Sequence, residues 1–294
     1  METLDIETVP PPLFVFGLVC LALVAAGIAV DIVLALSSAA RRPDRGRRLR
    51  VLVQRPWSWR HAVALFLMLV ALQGFLGSLL VALRRFSPLA RARGDALLIV
   101  IQAAVIHAAA LALVVLLTRG RGVSWHRAFG IEWRALPRAA RRAVVAYLAA
   151  FPALAFLSLA YVGFLQHLGI PLDPQGSVQL FRDPANPVWA RATLAVLAVA
   201  VAPVTEELLF RGILLPVLAR RLGAGVAIGT VSLLFALLHF HVPSFVPLYL
   251  IATAFSIAYL VHGNLTVSIL MHALFNGLSL LAMLLLRNIT DLPG

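Results

Sequence analysis

Val201-Ala202-Pro203-Val204-Thr205-Glu206-Glu207-Leu208-Leu209-Phe210-Arg211-Gly212 sets two carboxylates and a guanidinium inside a long apolar run. Each such charge at bilayer depth costs about 2.5–3.5 kcal/mol on insertion scales, so a chain that keeps three has a use for them. Glu207 and Arg211 stand four apart on one helical face, where they can pair. Glu206 points about 100° away and is left free. A buried ion network that only locks helices together is the competing reading, and the unpaired Glu206 argues against it.

The surroundings of this stretch define a membrane protein. Hydrophobic residues make up 62% of the 294 and charged residues only 13%, too little charge to cover a soluble surface. Several runs approach the roughly 20 apolar residues that cross a bilayer. Helices are expected over 13–38, 61–83, 96–118, 143–166, 188–219 (interrupted by Pro203), 225–241, 244–262 and 266–286, an all-α transmembrane bundle of about eight helices. The acidic Glu2, Asp5 and Glu7 are no signal-peptide n-region, so the first run is expected to stay as a helix.

All 25 basic residues are arginine, and the net charge is +13. They fall in short connections between apolar runs, which favours topology over nucleic-acid binding. Eight lie in 39–60, seven in 119–142, and Arg220 and Arg221 follow the long helix. These segments are expected to be cytoplasmic, with both termini outside. Arg84, Arg85, Arg91 and Arg93 run against that assignment. The Arg- and Ala-rich composition fits a bacterial inner or plasma membrane. Cys20 alone excludes an intramolecular disulfide and a multi-cysteine metal site. The Pro-rich stretch 167–187 reads as an irregular external loop and separates N-terminal helices and basic loops (1–187) from a chemically loaded transmembrane core (188–294).

Two further pairs sit downstream of the carboxylates. Phe235 and His239 are four apart on the next helix, and His272 and Asn276 are four apart on the last, each pair projecting from one face. One membrane histidine is commonly a packed residue; two of them with an Asn and a free Glu on three helices suggest a site. By rise per residue, Glu206 and His239 lie at similar depth across a tight turn. His272 lies only about 9–10 Å from the neighbouring loop, against roughly 20 Å for the other two, a mismatch that tilt would have to close. Gly225 and Gly229 form a small-xxx-small step for close packing. Asp31, Gln102 and His107 are polar groups in apolar helices with no tie to these motifs.

Glu206-Glu207-x-x-x-Arg211, Phe235-x-x-x-His239 and His272-x-x-x-Asn276 together resemble the three motifs of the CPBP intramembrane proteases. That family includes the type II CAAX prenyl endopeptidases and the bacterial Abi and bacteriocin-immunity proteins. The resemblance covers about 195–286. It implies that Glu206 activates water as general base, with His239 orienting it, while His272 and Asn276 bind the oxyanion. Glu207, Arg211 and Phe235 would support that geometry. The family's metalloprotease label makes His239, His272 and Glu206 candidate zinc ligands. Against zinc, an Asn amide is a poor ligand and no His-Glu-x-x-His pair is present.

The reading is therefore an endopeptidase acting on a peptide or membrane-protein substrate within the lipid bilayer. A non-catalytic immunity or binding protein and an ion-coupled transporter stay open as alternatives. A transporter would be expected to show inverted repeats or paired broken helices, whereas the sequence has one interruption, at Pro203.

Overall fold

The computed structural model describes residues 11–40, 45–87 and 94–290. The described residues are almost wholly helical, with no strand among them. In chain order they form α1 (Pro11–Ala40), α2 (Arg45–Val53), α3 (Trp59–Phe86), α4 (Gly94–Gly120), α5 (Trp125–Phe129), α6 (Leu136–His167) and α7 (Gly176–Arg182). α8 (188–222) and α9 (224–237) follow, then α10 (Phe245–His262) and α11 (Leu265–Thr290). Among the described residues seven helical stretches are long and apolar enough to cross a membrane, and the chain is a multi-pass membrane protein. Leu21, Phe75, Val81, Phe156 and Leu159 lie on the outside, where lipid solvates them.

The two helices expected over 188–219 and 225–241 are one apolar stretch of 50 residues, Val188–Leu237, folded back on itself. Gly223 makes the reversal at φ 77 and ψ 165, backbone that side chains with a Cβ resist. Phe210 and Phe235 meet across it with ring centroids 5.3 Å apart. A straight helix would hold them about 37 Å apart.

Among the described residues three apolar clusters join the early helices to the late ones, the smallest setting Ala96 and Val100 of α4 against Ala190 and Leu194 of α8. Of the larger two, one sets Trp57, Leu65 and Phe129 against Leu208, Ile213 and Phe235; the other sets Tyr147 and Leu154 of α6 against Phe255 and Met271. The close backbone approaches lie at glycines other than those expected. A Cβ at Gly27 would collide with Leu148 and Pro152 of α6, and one at Gly212 would stand 2.8 Å from the Phe129 ring. Gly225 faces open space, and Gly229 meets only the Tyr249 hydroxyl, so their small-xxx-small step makes no tight helix contact.

The connections are more ordered than their composition suggests. The expected external loop carries α7, and the arginine-rich stretch 39–60 carries α2. At that basic end the guanidinium of Arg220 donates to the carbonyls of Val53, Arg55 and Trp57. Arg55 in turn donates to the carbonyls of His126, Arg127 and Gly263. Arg91 and Arg93, which oppose the expected topology, lie outside the described residues, as do Glu2, Asp5 and Glu7.

Candidate active site

Proline shapes the helix that carries the carboxylates. α8 contains two π-helical stretches, Leu197–Val201 and Leu208–Leu214, each ending two residues before a proline, Pro203 and Pro216. A proline has no N–H and clashes with the carbonyl four residues earlier, so a wider turn ahead of it relieves the crowding. In the first stretch the Ala202 N–H bonds the Leu197 carbonyl. The Ala198 carbonyl would need the N–H that Pro203 lacks. Asn276 fills the vacancy, its Nδ2 donating to the Ala198 oxygen at 2.7 Å.

Between the two π stretches stand Glu206 and Glu207, and their environments differ as their spacing predicts. Glu207 is fully buried and accepts from Arg211 Nη1 at 2.8 Å. Arg211, also fully buried, gives Nη2–H to the Ala252 carbonyl and Nε–H to Ser256. Its guanidinium lies 4.8 Å from the Phe235 ring centroid and 5.3 Å from that of Phe255. The cation is thus held by a carboxylate, two neutral acceptors and aromatic faces. Glu206 keeps 23% of its side chain exposed and faces a cavity.

That cavity, about 620 Å³, is lined by Glu206, Phe235, His239, His272 and Asn276. Every residue expected to take part in the chemistry reaches it, while Glu207 and Arg211 stand behind it. His239 differs from expectation in one respect. It lies two residues past the end of α9 instead of on a helical face, and Phe240 follows at φ 47, uncommon for a bulky residue. Its ring still packs on Phe235, centroids 4.7 Å apart, and its Nδ1–H donates to the Phe235 carbonyl at 2.7 Å. Nε2 of the neutral ring is therefore an acceptor.

His272 stands between the carboxylates. Its Nδ1–H donates to Glu207 Oε1 at 3.0 Å, and Nε2 lies 3.8 Å from Glu206 Oε2. The depth mismatch expected for this residue is resolved by more than tilt. The turn before α11 is itself set into the protein: Asn264 and Leu265 are buried, Gly263 presses on Gly130, and Leu265 lies beside Gly212. Phe255 stacks on the His272 ring at 4.7 Å and fixes its plane.

Sequence reading left other contacts unassigned. His107 Nδ1 and Thr205 Oγ1 are 2.7 Å apart, so α4 braces the residue next to Glu206. His107 was visible as a polar group in an apolar helix, but nothing in the spacing joined it to Thr205. A smaller cavity of about 190 Å³ lies against His107 and shares Ser177, Ala198 and Ala202 with the larger one. His241 is structural: it accepts from the Ser244 N–H and donates to the Asp173 carbonyl. Gln102 lies near Gly77 of α3, and Asp31 is exposed on α1.

The candidate zinc ligands do not form a metal-binding group. Among the described residues no three His, Cys, Asp or Glu side chains converge on one point. His239 and His272 each commit Nδ1 to a protein acceptor, and only Glu206 and the two Nε2 atoms are left. Nδ1–H given to a carbonyl or carboxylate is how zinc-bound histidines are ordinarily held, so the donor chemistry is compatible with zinc although the three side chains do not converge here.

No curated protein and no solved structure matches the chain. Residues 187–278, the stretch that carries all three motifs, match the family model described as type II CAAX prenyl endopeptidase Rce1-like, and over that stretch the chain is similar to that protease family.

Proposed function

We propose that the protein is an intramembrane endopeptidase that hydrolyses a peptide bond of a peptide or membrane-protein substrate with a water activated by Glu206. The observation that carries this reading is the meeting of Glu206, His239, His272 and Asn276 on one cavity, with the Glu207–Arg211 pair fixed behind it. Glu206 takes a proton from the water as it attacks the scissile carbonyl and passes it to the leaving amine. His239 Nε2 accepts the water's second hydrogen and aims the oxygen. The oxyanion is met by Asn276 and by His272.

The hydrogen bond to Glu207 sets a condition on that last role. With Nδ1–H given to Glu207, His272 offers Nε2–H to an oxyanion only as imidazolium. Glu207 then serves two cations, Arg211 and His272, and holds the imidazolium where charge develops. Asn276 keeps a second Nδ2–H beside the one given to Ala198.

The test is cleavage by purified Glu206→Gln in lipid, with a library of membrane-segment peptides to supply a substrate. The variant is isosteric and removes only the base, so kcat should fall by about 10²–10⁴ with folding unchanged. Wild-type turnover in Glu206→Gln would overturn the mechanism.

A further inference from the structure

The cavity opens at one end of the bundle, and chain direction identifies that end. α6 finishes at His167 and α9 at Leu237, so residues 168–178 and 238–244 come together where these helices end. There the cavity is lined by Asp173, Gln175, Ser177 and Ser244. The two segments are tied by His241 Nε2–H to the Asp173 carbonyl, and Tyr161 of α6 donates its hydroxyl to the Val242 carbonyl.

The arginines gather at the opposite end. Segments 39–60 and 119–142 with Arg220 and Arg221 hold 17 of the 25. Among the described residues Arg84, Arg85, Arg182 and Arg191 belong to the cavity end, and Arg211 is buried between the two ends. The structure confirms that the three rich segments share one face, because Arg55 and Arg220 clasp them together. Short connections rich in arginine stay in the cytoplasm. At that end Arg55, Asn264 and Leu265 are buried.

We propose that the catalytic cavity opens to the extracytoplasmic face, and that its substrate is an extracytoplasmic peptide or the outward-facing juxtamembrane segment of a membrane protein. The substrate half of this rests on the endopeptidase reading; the orientation does not. A segment confined to the cytoplasm would have to cross the clasped basic end to reach Glu206.

Two cysteines read the orientation directly. Gly176 sits at the cavity rim and Gly120 at the basic end, and a Cβ at either meets nothing within 4 Å. In a Cys20→Ser background expressed in a bacterial inner membrane, intact spheroplasts are treated with a membrane-impermeant maleimide. Gly176→Cys should be labelled, and Gly120→Cys only after permeabilisation. Labelling of Gly120→Cys in intact spheroplasts, or of Gly176→Cys only after permeabilisation, overturns the proposal. Should either cysteine resist the reagent even then, a phosphatase active only outside the cytoplasm, fused after residue 294 of the full chain, gives the same answer. An active fusion is expected, since α11 runs towards the cavity end, and an inactive but intact fusion overturns the proposal. Labelling does not depend on turnover, so failure of the endopeptidase reading, seen as unaltered cleavage by Glu206→Gln, leaves the orientation result standing.

Discussion

Replacing Arg211 with methionine should damage the protein more than any change in the cavity, and the contacts say by how much. Glu207 is fully buried, and its Oε2 has no hydrogen-bond partner. Without Arg211 it keeps His272 alone. Stranding one member of a buried pair costs about 3–5 kcal/mol, a large share of the 5–15 kcal/mol that typically holds a folded protein. Glu207→Gln should cost less, because Arg211 retains the Ala252 carbonyl, the Ser256 hydroxyl and its aromatic neighbours. The double variant Glu207→Gln/Arg211→Met removes both charges, and it should recover most of the lost stability. Cleavage should stay low, because the amide cannot hold an imidazolium at position 272. Thermal unfolding of the four proteins in one detergent, analysed as a double-mutant cycle, gives the coupling energy. A double variant no more stable than Arg211→Met would show that the stranded carboxylate is not the source of the damage.

Other outcomes follow from single contacts. Gly212→Ala should destabilise by about 1–3 kcal/mol, since its Cβ would press on Phe129 and Leu265, whereas Gly225→Ala should unfold with the wild type. His107→Phe removes the brace on Thr205, so it should lower kcat while Glu206→Gln stays the more severe lesion; equal kcat in His107→Phe and wild type would remove His107 from the positioning network. Dialysis against a chelator should leave cleavage intact. Loss of activity restored by zinc would instead assign a metal to His239, His272 and Glu206.

The long helices were legible because each apolar run exceeds what a soluble core helix needs, and the expected 61–83 and 266–286 lie inside Trp59–Phe86 and Leu265–Thr290. Glu207 and Arg211 were legible as a pair because helical spacing alone brings them together. Pro203 signalled an interruption, but its product, a π stretch with a spare carbonyl at Ala198, needed the backbone to be seen. The short helices α2 and α7 were hidden because nine and seven residues carry too little periodicity beside arginine or proline. Contacts set by tertiary packing, such as His107 with Thr205 or His272 with Glu207, leave no mark in spacing, since the partners are 98 and 65 residues apart.

The Arg55 clasp has a consequence for biosynthesis. Its acceptors in α5 follow by 71 and 72 residues, but the Gly263 carbonyl comes 208 residues later. At about 5–20 residues per second, roughly 10–40 s pass between synthesis of the guanidinium and of its last acceptor. During that interval the early helices wait in the bilayer with the clasp unfinished and a cation open to water. A ribosome stalled before residue 263 should therefore leave a product that membrane proteases remove quickly, while release just beyond it should bring a sharp gain in lifetime.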